Sequence, residues 1–581
     1  MSRLLSKNIG GPATLHIHHL DDAKTRTCLT QFRDLVGSCR GPSGKIKMIQ
    51  NKVGGHLTLT STSSRLLAAM SFSHPVLQMV VGSTQNHLAN FKDGGLLLCH
   101  FCLLLLESSL DKTWNRRHVV AVYENCLSKM EEYLSSSDCV CRFEVSISSI
   151  DEMMSFLHCI LSSKPLCCLG DAGLDHLSKT ILRSFLHSIP ESTQRIYFSD
   201  RIYIQCMSNN VLLDSKFEKG ILMICPELSS IFEQNIEVKK TVDYVGVEKI
   251  KVALVNVSMS GDAEELMDVH YEADRDVDVN ESMLSAILNT CEGLVQRGVG
   301  MVLSQKVIHP RIKAYLRSCG VFFLDRIGAL LMPYLRDVTG ATPLSSVVIP
   351  DFGSSSFGWL DDAVHCVLSG KSYLHLTNTD SPVVSLVLCS PLEEACSELQ
   401  CLCSSALLSL KRLVHSGSVL CGGGCWQTHL AAVLRSQMDD ISNIMNLPTL
   451  QLTNIVENFA RCLEKSATSL NHDQEMHMVD KSQGHLWKTT YGTFDQNSPT
   501  KNPVMKCSCS LLSTHQSDDL RLLGDKVSEK SDCDSTCTSN LNIGKNPQIV
   551  DSLAVALSAV QTAVYTANSI LMTHQYIQDE G

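Results

Sequence analysis

Three glycine-containing turns in this sequence have the composition of a phosphate-binding cradle. They are Gly41-Pro42-Ser43-Gly44, Asp93-Gly94-Gly95 and Gly422-Gly423-Gly424. Each turn lies beside a segment with helical spacing, and backbone N–H groups in glycine turns and at helix N-termini can bind phosphate without particular side chains. The sequence therefore predicts a nucleotide site in which these turns meet.

Asp93 is the acidic residue of this set. A carboxylate beside bound phosphates is a suitable ligand for Mg²⁺. Aspartate is also favoured at the N-cap of a helix, and an apolar helix is predicted directly after it. Both interpretations stay open, so Asp93 is a candidate magnesium ligand and a candidate helix cap.

Two common catalytic motifs are absent from the sequence. It contains no G-x-x-x-x-G-K-[ST] loop and no H-E-x-x-H helix. A dinucleotide loop at Gly422–Gly424 would need a strand before the turn, whereas the flanking pattern predicts helix–turn–helix. We interpret Cys421 and Cys425, which flank this turn, as buried packing groups rather than nucleophiles.

Composition and charge exclude several classes of protein. The 581 residues exceed what one hydrophobic core can hold, so several structural units are expected. A formal net charge of −11 argues against a nucleic-acid binder. The longest near-apolar run, Leu96–Leu106, is too short to cross a bilayer, so we expect a buried helix there and no membrane insertion.

The chain contains 26 cysteines. Close pairs such as Cys139 with Cys141 and Cys507 with Cys509 raise the question of zinc, but no paired C-x-x-C set accompanies them. We therefore expect reduced, buried thiols and no zinc.

Hydrophobic periodicity predicts helices near both chain ends. The spacing of Leu29, Phe32 and Val36 indicates a helix that ends at Gly41-Pro42. Pro75 suits the first turn of another helix. The last helix, after Pro547, carries one apolar stripe.

The middle of the chain has a different pattern. Between Lys251 and Leu324 strands and helices alternate as β-α-β-α-β, which favours a parallel sheet. Residues 262–278 hold eight carboxylates and are expected to form a solvated loop, with a charged docking surface as the alternative. Residues 490–545 are expected to form a long mobile loop.

Six motifs in order resemble the group II chaperonins. Arg40-Gly41-Pro42-Ser43-Gly44-Lys45 is similar to the family's L-G-P-x-G loop, His74-Pro75 to its H-P helix start, and Asp93-Gly94 to its G-D-G-T-T turn. The other correspondences are Leu213-Asp214-Ser215-Lys216, Gly422-Gly423-Gly424 and the helix after Asn546-Pro547.

This resemblance implies an α+β multidomain fold with a helical equatorial domain, a small mixed intermediate domain and an α/β apical domain. The equatorial domain would comprise residues 1–142 and 395–581, the intermediate domain residues 143–216 and 355–394, and the apical domain residues 217–354. The apical domain would be inserted in the intermediate domain, which is itself inserted in the equatorial domain.

Departures from the family pattern fall on its catalytic acids. Thr62 and Ser405 stand where the family has aspartates, and Gly95-Leu96 replaces its two threonines. A missing base costs about 10²–10⁴ in rate. The resemblance therefore implies weak binding of ATP and magnesium, no assigned catalytic residue and little hydrolysis.

More narrowly, residues 302–310, 324–328 and 484–487 are similar to the chaperonin-like branch associated with McKusick–Kaufman and Bardet–Biedl syndromes. This implies three kinds of partner: other chaperonin-like Bardet–Biedl proteins, the cytosolic chaperonin ring, and subunits of the BBSome, the coat complex of ciliary membrane traffic, as clients. It implies a location in the cytosol and at the centrosome, pericentriolar material and ciliary basal body, with the nucleus as a further location.

The leading hypothesis is thus a chaperonin-like protein that assists folding and complex assembly with a degenerate ATPase site. The alternatives are an ATP-hydrolysing folding chaperone and an interaction scaffold that binds no nucleotide.

Overall fold

The structure is a computed structural model of the chain. It describes residues 11–17, 20, 22–50, 57–110, 114–167, 169–189, 201–225, 241–242, 248–262, 279–346, 352–438, 440–441, 448–472, 476–480, 483–489, 505–512, 520–523 and 548–580. Two compact units are present: Met1–Ser178 with Ser397–Gly581, and Lys179–Cys396. The first unit is therefore built from both chain ends, while the finer division into three nested domains stays a prediction.

The first unit is mainly helical. Its helices are Ala23–Gly37, Ser63–Ala69, Pro75–Phe91, Gly95–Leu110, Arg116–Ser135, Ile150–Leu161, Cys425–Ser436, Thr449–Thr468 and Leu553–Met572. Two further helices contain the boundaries between the units, namely Asp171–His187 and Glu393–Ser416.

Helix Gly95–Leu110 lies at the centre of the first unit. It packs against the helices Ala23–Gly37, Pro75–Phe91, Thr449–Thr468 and Leu553–Met572. Its apolar residues point in every direction and are nearly all buried, which explains why the sequence shows a continuous run rather than a stripe. The expectation of a buried helix at this run is confirmed.

Helix Leu553–Met572 is long and apolar enough to cross a membrane by length and composition alone. Most of its apolar stretch is buried inside the unit, and Val560, Val564 and Ala567 belong to the main hydrophobic core. This burial is typical of the core helix of a globular unit.

The predicted helix start at Pro75 is confirmed, but one predicted helix end is wrong. Pro75 occupies the first turn of its helix as expected. The helix that begins at Ala23 ends at Gly37 rather than at Gly41. The hydroxyl of Ser38 donates to the carbonyl of Leu35 at 2.7 Å and closes the last turn, so Gly41 is free to form a separate turn.

The strands of the first unit form small antiparallel sheets. One contains Arg142–Glu144, Ser418–Cys421 and Val550–Ser552. Another contains Met476–Asp480, Leu486–Thr489, Met505–Cys507 and Leu520–Leu522. Two pairs of strands complete the set, Lys47–Gln50 with Leu57–Thr60 and Gly11–Ile17 with Gln575–Glu580.

These strands correct two expectations. The strand Ser418–Cys421 precedes the triple-glycine turn, so the local pattern is strand–turn–helix and not helix–turn–helix. This strand pairs only antiparallel, unlike the parallel strand of a dinucleotide fold. Within 490–545, Met505–Cys507 and Leu520–Leu522 are paired strands rather than loop; the rest of the expected mobile loop falls largely outside the described residues.

The second unit has an α/β centre. The strands Glu248–Val255, Met301–Ser304 and Phe322–Leu324 are parallel neighbours, and the helices Val279–Gln296 and Pro310–Ser318 connect them. The predicted β-α-β-α-β order and parallel sheet are therefore confirmed. Strand Phe357–Leu360 adds an antiparallel edge, with Thr241–Val242 pairing beside it, and helix Met332–Thr339 lies nearby in sequence.

Alternate residues of these strands feed two hydrophobic clusters. Val252 and Leu254 belong to one cluster, whereas Ala253 and Val255 belong to the other. This alternation follows from the two-residue period of a strand. The remaining strands of the unit form two three-stranded sheets: Ile221–Ile224 with Asp362–Leu368 and Lys371–Thr377, and Ile202–Ser208 with Lys216–Lys219 and Val384–Ser390. The acidic segment lies, apart from Asp262, outside the described residues.

Candidate nucleotide site

The first unit contains a cavity of about 530 Å³. Residues from all three glycine turns line it, together with both residues that replace family aspartates. These residues are Gly41, Pro42, Asp93, Gly94, Gly423, Thr62 and Ser405. The fold therefore brings together segments that are hundreds of residues apart in the sequence.

Three glycines at the cavity hold conformations that other residues rarely adopt: Gly41, Gly94 and Gly423, the last with φ of +64°. Gly41 has φ of +76°, and a Cβ atom there would lie 2.1 Å from the carbonyl oxygen of Leu470. Gly94 has φ of +78°, and a Cβ atom there would lie 2.8 Å from Val555. Side chains are therefore excluded at these turns, which leaves room for a ligand to approach the backbone closely.

The other predicted cradle residues do not line the cavity: Ser43, Gly44, Gly95, Gly422 and Gly424. Several of them have packing roles. A Cβ atom on Gly44 would lie 2.5 Å from the carbonyl oxygen of Cys39, and one on Gly95 would lie 2.6 Å from the hydroxyl of Ser63. These glycines permit close approach of chain segments that shape the site.

Asp93 lies two residues before the start of helix Gly95–Leu110. Its Oδ1 accepts a hydrogen bond from the N–H of Gly94 at 2.7 Å, and its carbonyl oxygen lies 3.0 Å from Nε2 of His87. An N-cap side chain normally accepts from the second or third residue inside the helix, so this contact fixes the turn rather than capping the helix in the usual way. The carboxylate of Asp93 borders the cavity, where a cation could meet it.

Several buried polar atoms of the cavity wall have no hydrogen-bond partner within the described part of the chain. They include Ser405 Oγ, Ser409 Oγ, Ser508 Oγ, Gln427 Oε1 and His158 Nε2. An unpaired buried polar group costs about 1–3 kcal/mol. A polar ligand in this cavity would satisfy such groups, so the wall suits a hydrogen-bonding molecule.

Arg40 is a buried cation in the same wall, at 3% exposure. Its Nη1 donates to the carbonyl of Ser466 at 2.8 Å and to the hydroxyl of Ser469 at 2.6 Å. Burial lowers the pKa of Arg40 to about 10, which leaves it charged at neutral pH. Burial and the charge of Arg40 hold the pKa of His100 well below its usual value, so a neutral imidazole faces the guanidinium.

Sequence reasoning did not identify Asp551, a second carboxylate of the cavity. Its Oδ2 accepts a hydrogen bond from Nε1 of Trp426 at 2.9 Å. Burial raises the pKa of Asp551 and the charge of Asp93 raises it further, whereas the hydrogen bond from Trp426 and the charge of Arg40 act in the opposite direction. The two carboxylates therefore repel each other across the site, and a cation would relieve this repulsion. The only sequence signal was an acidic residue just before the last helix.

Three lysines on the cavity wall were also not identified: Lys92, Lys164 and Lys488. Lys164 Nζ donates to the carbonyl of Ser61 at 3.3 Å, beside the loop that carries Thr62. Lysine ammonium groups on the wall of a cavity attract phosphate. The cavity thus combines glycine turns with positive side chains.

Glu398 is the acidic residue nearest in sequence to Ser405, which stands where the family has an aspartate. The hydrogen bonds of Glu398, however, are made to a neighbouring loop and not to the cavity. It accepts from Thr60 Oγ1 at 2.7 Å, from the N–H of Ser61 at 2.9 Å and from Arg65 Nη1 at 3.1 Å. Burial alone would raise the pKa of Glu398, but the hydrogen bonds from Thr60 and Ser61 lower it below its usual value. Glu398 is not among the residues lining the cavity, and it anchors the loop that holds Thr62.

A helical unit made from both chain ends, an α/β unit and a glycine-lined cavity are features of a chaperonin subunit. The family model of the TCP-1/cpn60 chaperonin family matches residues 32–580. The chain therefore belongs to this family.

Individual relatives agree with this assignment. Molecular chaperone MKKS from Mus musculus and the protein of the same name from Homo sapiens are each 31% identical over the full length of both chains. A thermosome subunit from Methanothermococcus thermolithotrophicus is 20% identical, with 75% of this chain and 76% of the relative covered. The chain is a chaperonin-like protein.

Proposed function

We propose that this chain is a chaperonin-like subunit that assists folding and complex assembly and binds ATP with magnesium but hydrolyses it poorly. One observation carries the proposal: the glycine turns and cations of the cavity are in place, while Thr62 and Ser405 supply hydroxyls on the same wall. Binding of a polyanion such as ATP needs the glycine turns and the cations. Activation of water needs a base, which a hydroxyl does not replace.

The residues that would hold the nucleotide have distinct tasks. The turns at Gly41 and Gly423 would offer backbone N–H groups to phosphate oxygens, and Lys92 and Lys164 would balance their charge. The N–H of Gly94 is bound to Asp93, so Gly94 would contribute space for the phosphates rather than a donor. Asp93 would be a ligand of the magnesium ion, which supplies charge neutralisation for the phosphates when bound.

A second candidate function is a chaperone that still hydrolyses ATP. Its support is that Asp93 and Asp551 both border the cavity and bear on each other electrostatically. However, neither Asp93 nor Asp551 stands at position 62 or 405, where the family has its aspartates and this chain has hydroxyls.

The finer function follows from the resemblance and from the relatives named as molecular chaperones. We propose that the clients are subunits of the BBSome and that the partners are other chaperonin-like Bardet–Biedl proteins and the cytosolic chaperonin ring. The proposed locations are the cytosol, centrosome, pericentriolar material and ciliary basal body.

Restoring the acids tests the nucleotide proposal. The variant Thr62→Asp/Ser405→Asp should raise magnesium-dependent phosphate release by about 10²-fold or more over the unmodified chain, because carboxylates can orient and deprotonate water.

Equilibrium binding of a non-hydrolysable ATP analogue should be saturable in the unmodified chain and should weaken in Asp93→Asn when magnesium is present.

The matched control is Thr62→Asn/Ser405→Asn, which adds similar volume without charge and should leave turnover low. Rapid phosphate release by the unmodified chain that Asp93→Asn abolishes would instead support the hydrolysing chaperone. No saturable analogue binding would support the nucleotide-free scaffold.

A further inference from the structure

A second cluster of chemically active side chains lies beside the triple-glycine turn. It consists of Cys425, His485, Cys507 and Cys509, all of which are buried. The four candidate ligand atoms, three Sγ atoms and one imidazole nitrogen, lie within 4.8 Å of one another. They come from a helix start, a turn and a strand end that the fold assembles at one point.

The spacings within the cluster are those of a tetrahedral metal site. Zinc binds thiolate sulfur at about 2.3 Å and imidazole nitrogen at about 2.0–2.1 Å, which places neighbouring ligand atoms about 3.6–3.8 Å apart. The Sγ atoms of Cys425 and Cys507 are 3.9 Å apart, and those of Cys507 and Cys509 are 3.4 Å apart. Nδ1 of His485 lies 3.5 Å from Cys507 Sγ and 3.4 Å from Cys509 Sγ.

The surrounding hydrogen bonds hold the candidate ligands in place. Asp480 accepts from the N–H of His485 at 2.9 Å and from Nε1 of Trp487 at 3.0 Å, which fixes the turn that carries the imidazole. The N–H of Ser508, between the two close cysteines, donates to the carbonyl of Leu486 at 2.8 Å. Such support is usual around metal ligands.

The hydrophobic core at this point is small. It contains Cys421, Cys425, Leu486, Trp487, Cys507, Cys509 and a few other residues, apart from the main core of the unit. A small core gains much from a metal that links distant segments. The four ligands span the sequence from 425 to 509, so one ion would join three segments.

We propose that Cys425, His485, Cys507 and Cys509 bind one structural zinc ion. Three thiolates and one imidazole give a closed four-coordinate site with no position for substrate, which is the pattern of a structural rather than a catalytic zinc. This proposal replaces the expectation that the chain binds no zinc. That expectation rested on the absence of paired C-x-x-C sets, whereas the fold brings these four ligands together from separate parts of the sequence.

The zinc site would also stabilise one wall of the cavity. Gly423 and Ser508 line the cavity, and each lies within two residues of a proposed ligand. A Cβ atom on Gly423 would lie 2.5 Å from the carbonyl oxygen of Ser508, so the two segments are in close contact. Zinc would hold this contact whether or not the cavity binds nucleotide.

The test begins with the full chain, purified without added metal under reducing conditions. Elemental analysis should find about one zinc per chain, and X-ray absorption at the zinc edge should show three sulfur neighbours at about 2.3 Å and one nitrogen at about 2.0–2.1 Å. Removal by a strong chelator should lower the midpoint of thermal unfolding, and zinc should restore it.

Variants assign the ligands. Cys507→Ser, Cys509→Ser and His485→Gln should each lose zinc, whereas Cys421→Ser should retain it, because Cys421 contacts Cys509 but is not in the ligand set. A chain without zinc that does not take up Co²⁺ with thiolate charge-transfer bands would overturn the proposal. So would a disulfide within the cluster in the reduced preparation, or zinc that survives His485→Gln but is lost in Cys421→Ser.

Discussion

Glu398 illustrates how a single buried carboxylate can determine the geometry of a site that it does not enter. Its hydrogen bonds to Thr60 and Ser61 hold the loop that presents Thr62 to the cavity. Arg65 adds an ion pair at 3.1 Å. A buried charge of this kind is stable only when all its partners are present.

We therefore expect Glu398→Gln to destabilise the chain at neutral pH. The amide cannot accept all of these donors, and loss of charge-assisted hydrogen bonds costs about 1–3 kcal/mol. Since the folded chain lowers the pKa of Glu398, its contribution is present above the unfolded pKa and is lost as pH falls through the lower folded value. The deficit of Glu398→Gln should thus be full at pH 7 and should shrink below about pH 4.5.

Thermal unfolding midpoints at several pH values measure this effect. Glu393→Gln, an exposed change on the same helix, is the control and should show little deficit at either end of the range. A deficit that stays constant with pH would mean that shape rather than charge accounts for the role of Glu398.

The turn at Gly41 shows how backbone geometry and the cavity are linked. Its φ of +76° and its contact with the carbonyl of Leu470 leave no space for a side chain. Gly41→Ala should lower the free energy of unfolding by about 1–3 kcal/mol and weaken binding of a non-hydrolysable ATP analogue.

Gly82 provides the matched control for this change. It lies within helix Pro75–Phe91, and a Cβ atom there would have nothing within 4 Å. Gly82→Ala should raise the free energy of unfolding by about 0.5–1 kcal/mol and leave binding unchanged. Equal effects of the two substitutions would refute the proposed conformational role of Gly41.

Elements with a strong hydrophobic period could be predicted from the sequence. The helices that begin at Pro75 and Leu553 and the parallel strands near Val252 follow from patterns of a few residues. The short strand Ser418–Cys421 could not be predicted in the same way, because its stability depends on partners near residues 143 and 551.

The nucleotide site and the cysteine cluster also differ in how far local sequence patterns predict them. The glycine turns have local signatures, and the fold places Gly41, Asp93 and Gly423 on one cavity. Asp551 and the cluster around Cys507 have no local signature. Their neighbours are set by tertiary packing, which one sequence does not reveal by spacing.

Two small sheets of the first unit have edges without a strand partner within the described residues. They are the pairs Lys47–Gln50 with Leu57–Thr60 and Gly11–Ile17 with Gln575–Glu580. Met48 is 69% exposed and Ile577 is 70% exposed on these strands. A two-stranded sheet is marginally stable alone, and its edges offer unpaired N–H and C=O groups to another chain.

We expect these edges to be covered by a second chaperonin-like chain, in keeping with the proposed role in assembly. Light scattering of the native protein should give a mass above that of one chain when a partner is present, and amide hydrogen exchange should slow at residues 47–50 and 575–580. Met48→Lys should reduce association, because it places a charge at the edge, whereas Met79→Lys, on an exposed helix position, should not. A chain that remains monomeric with every chaperonin-like partner, or two lysine variants that associate equally, would show that these edges are not the contact.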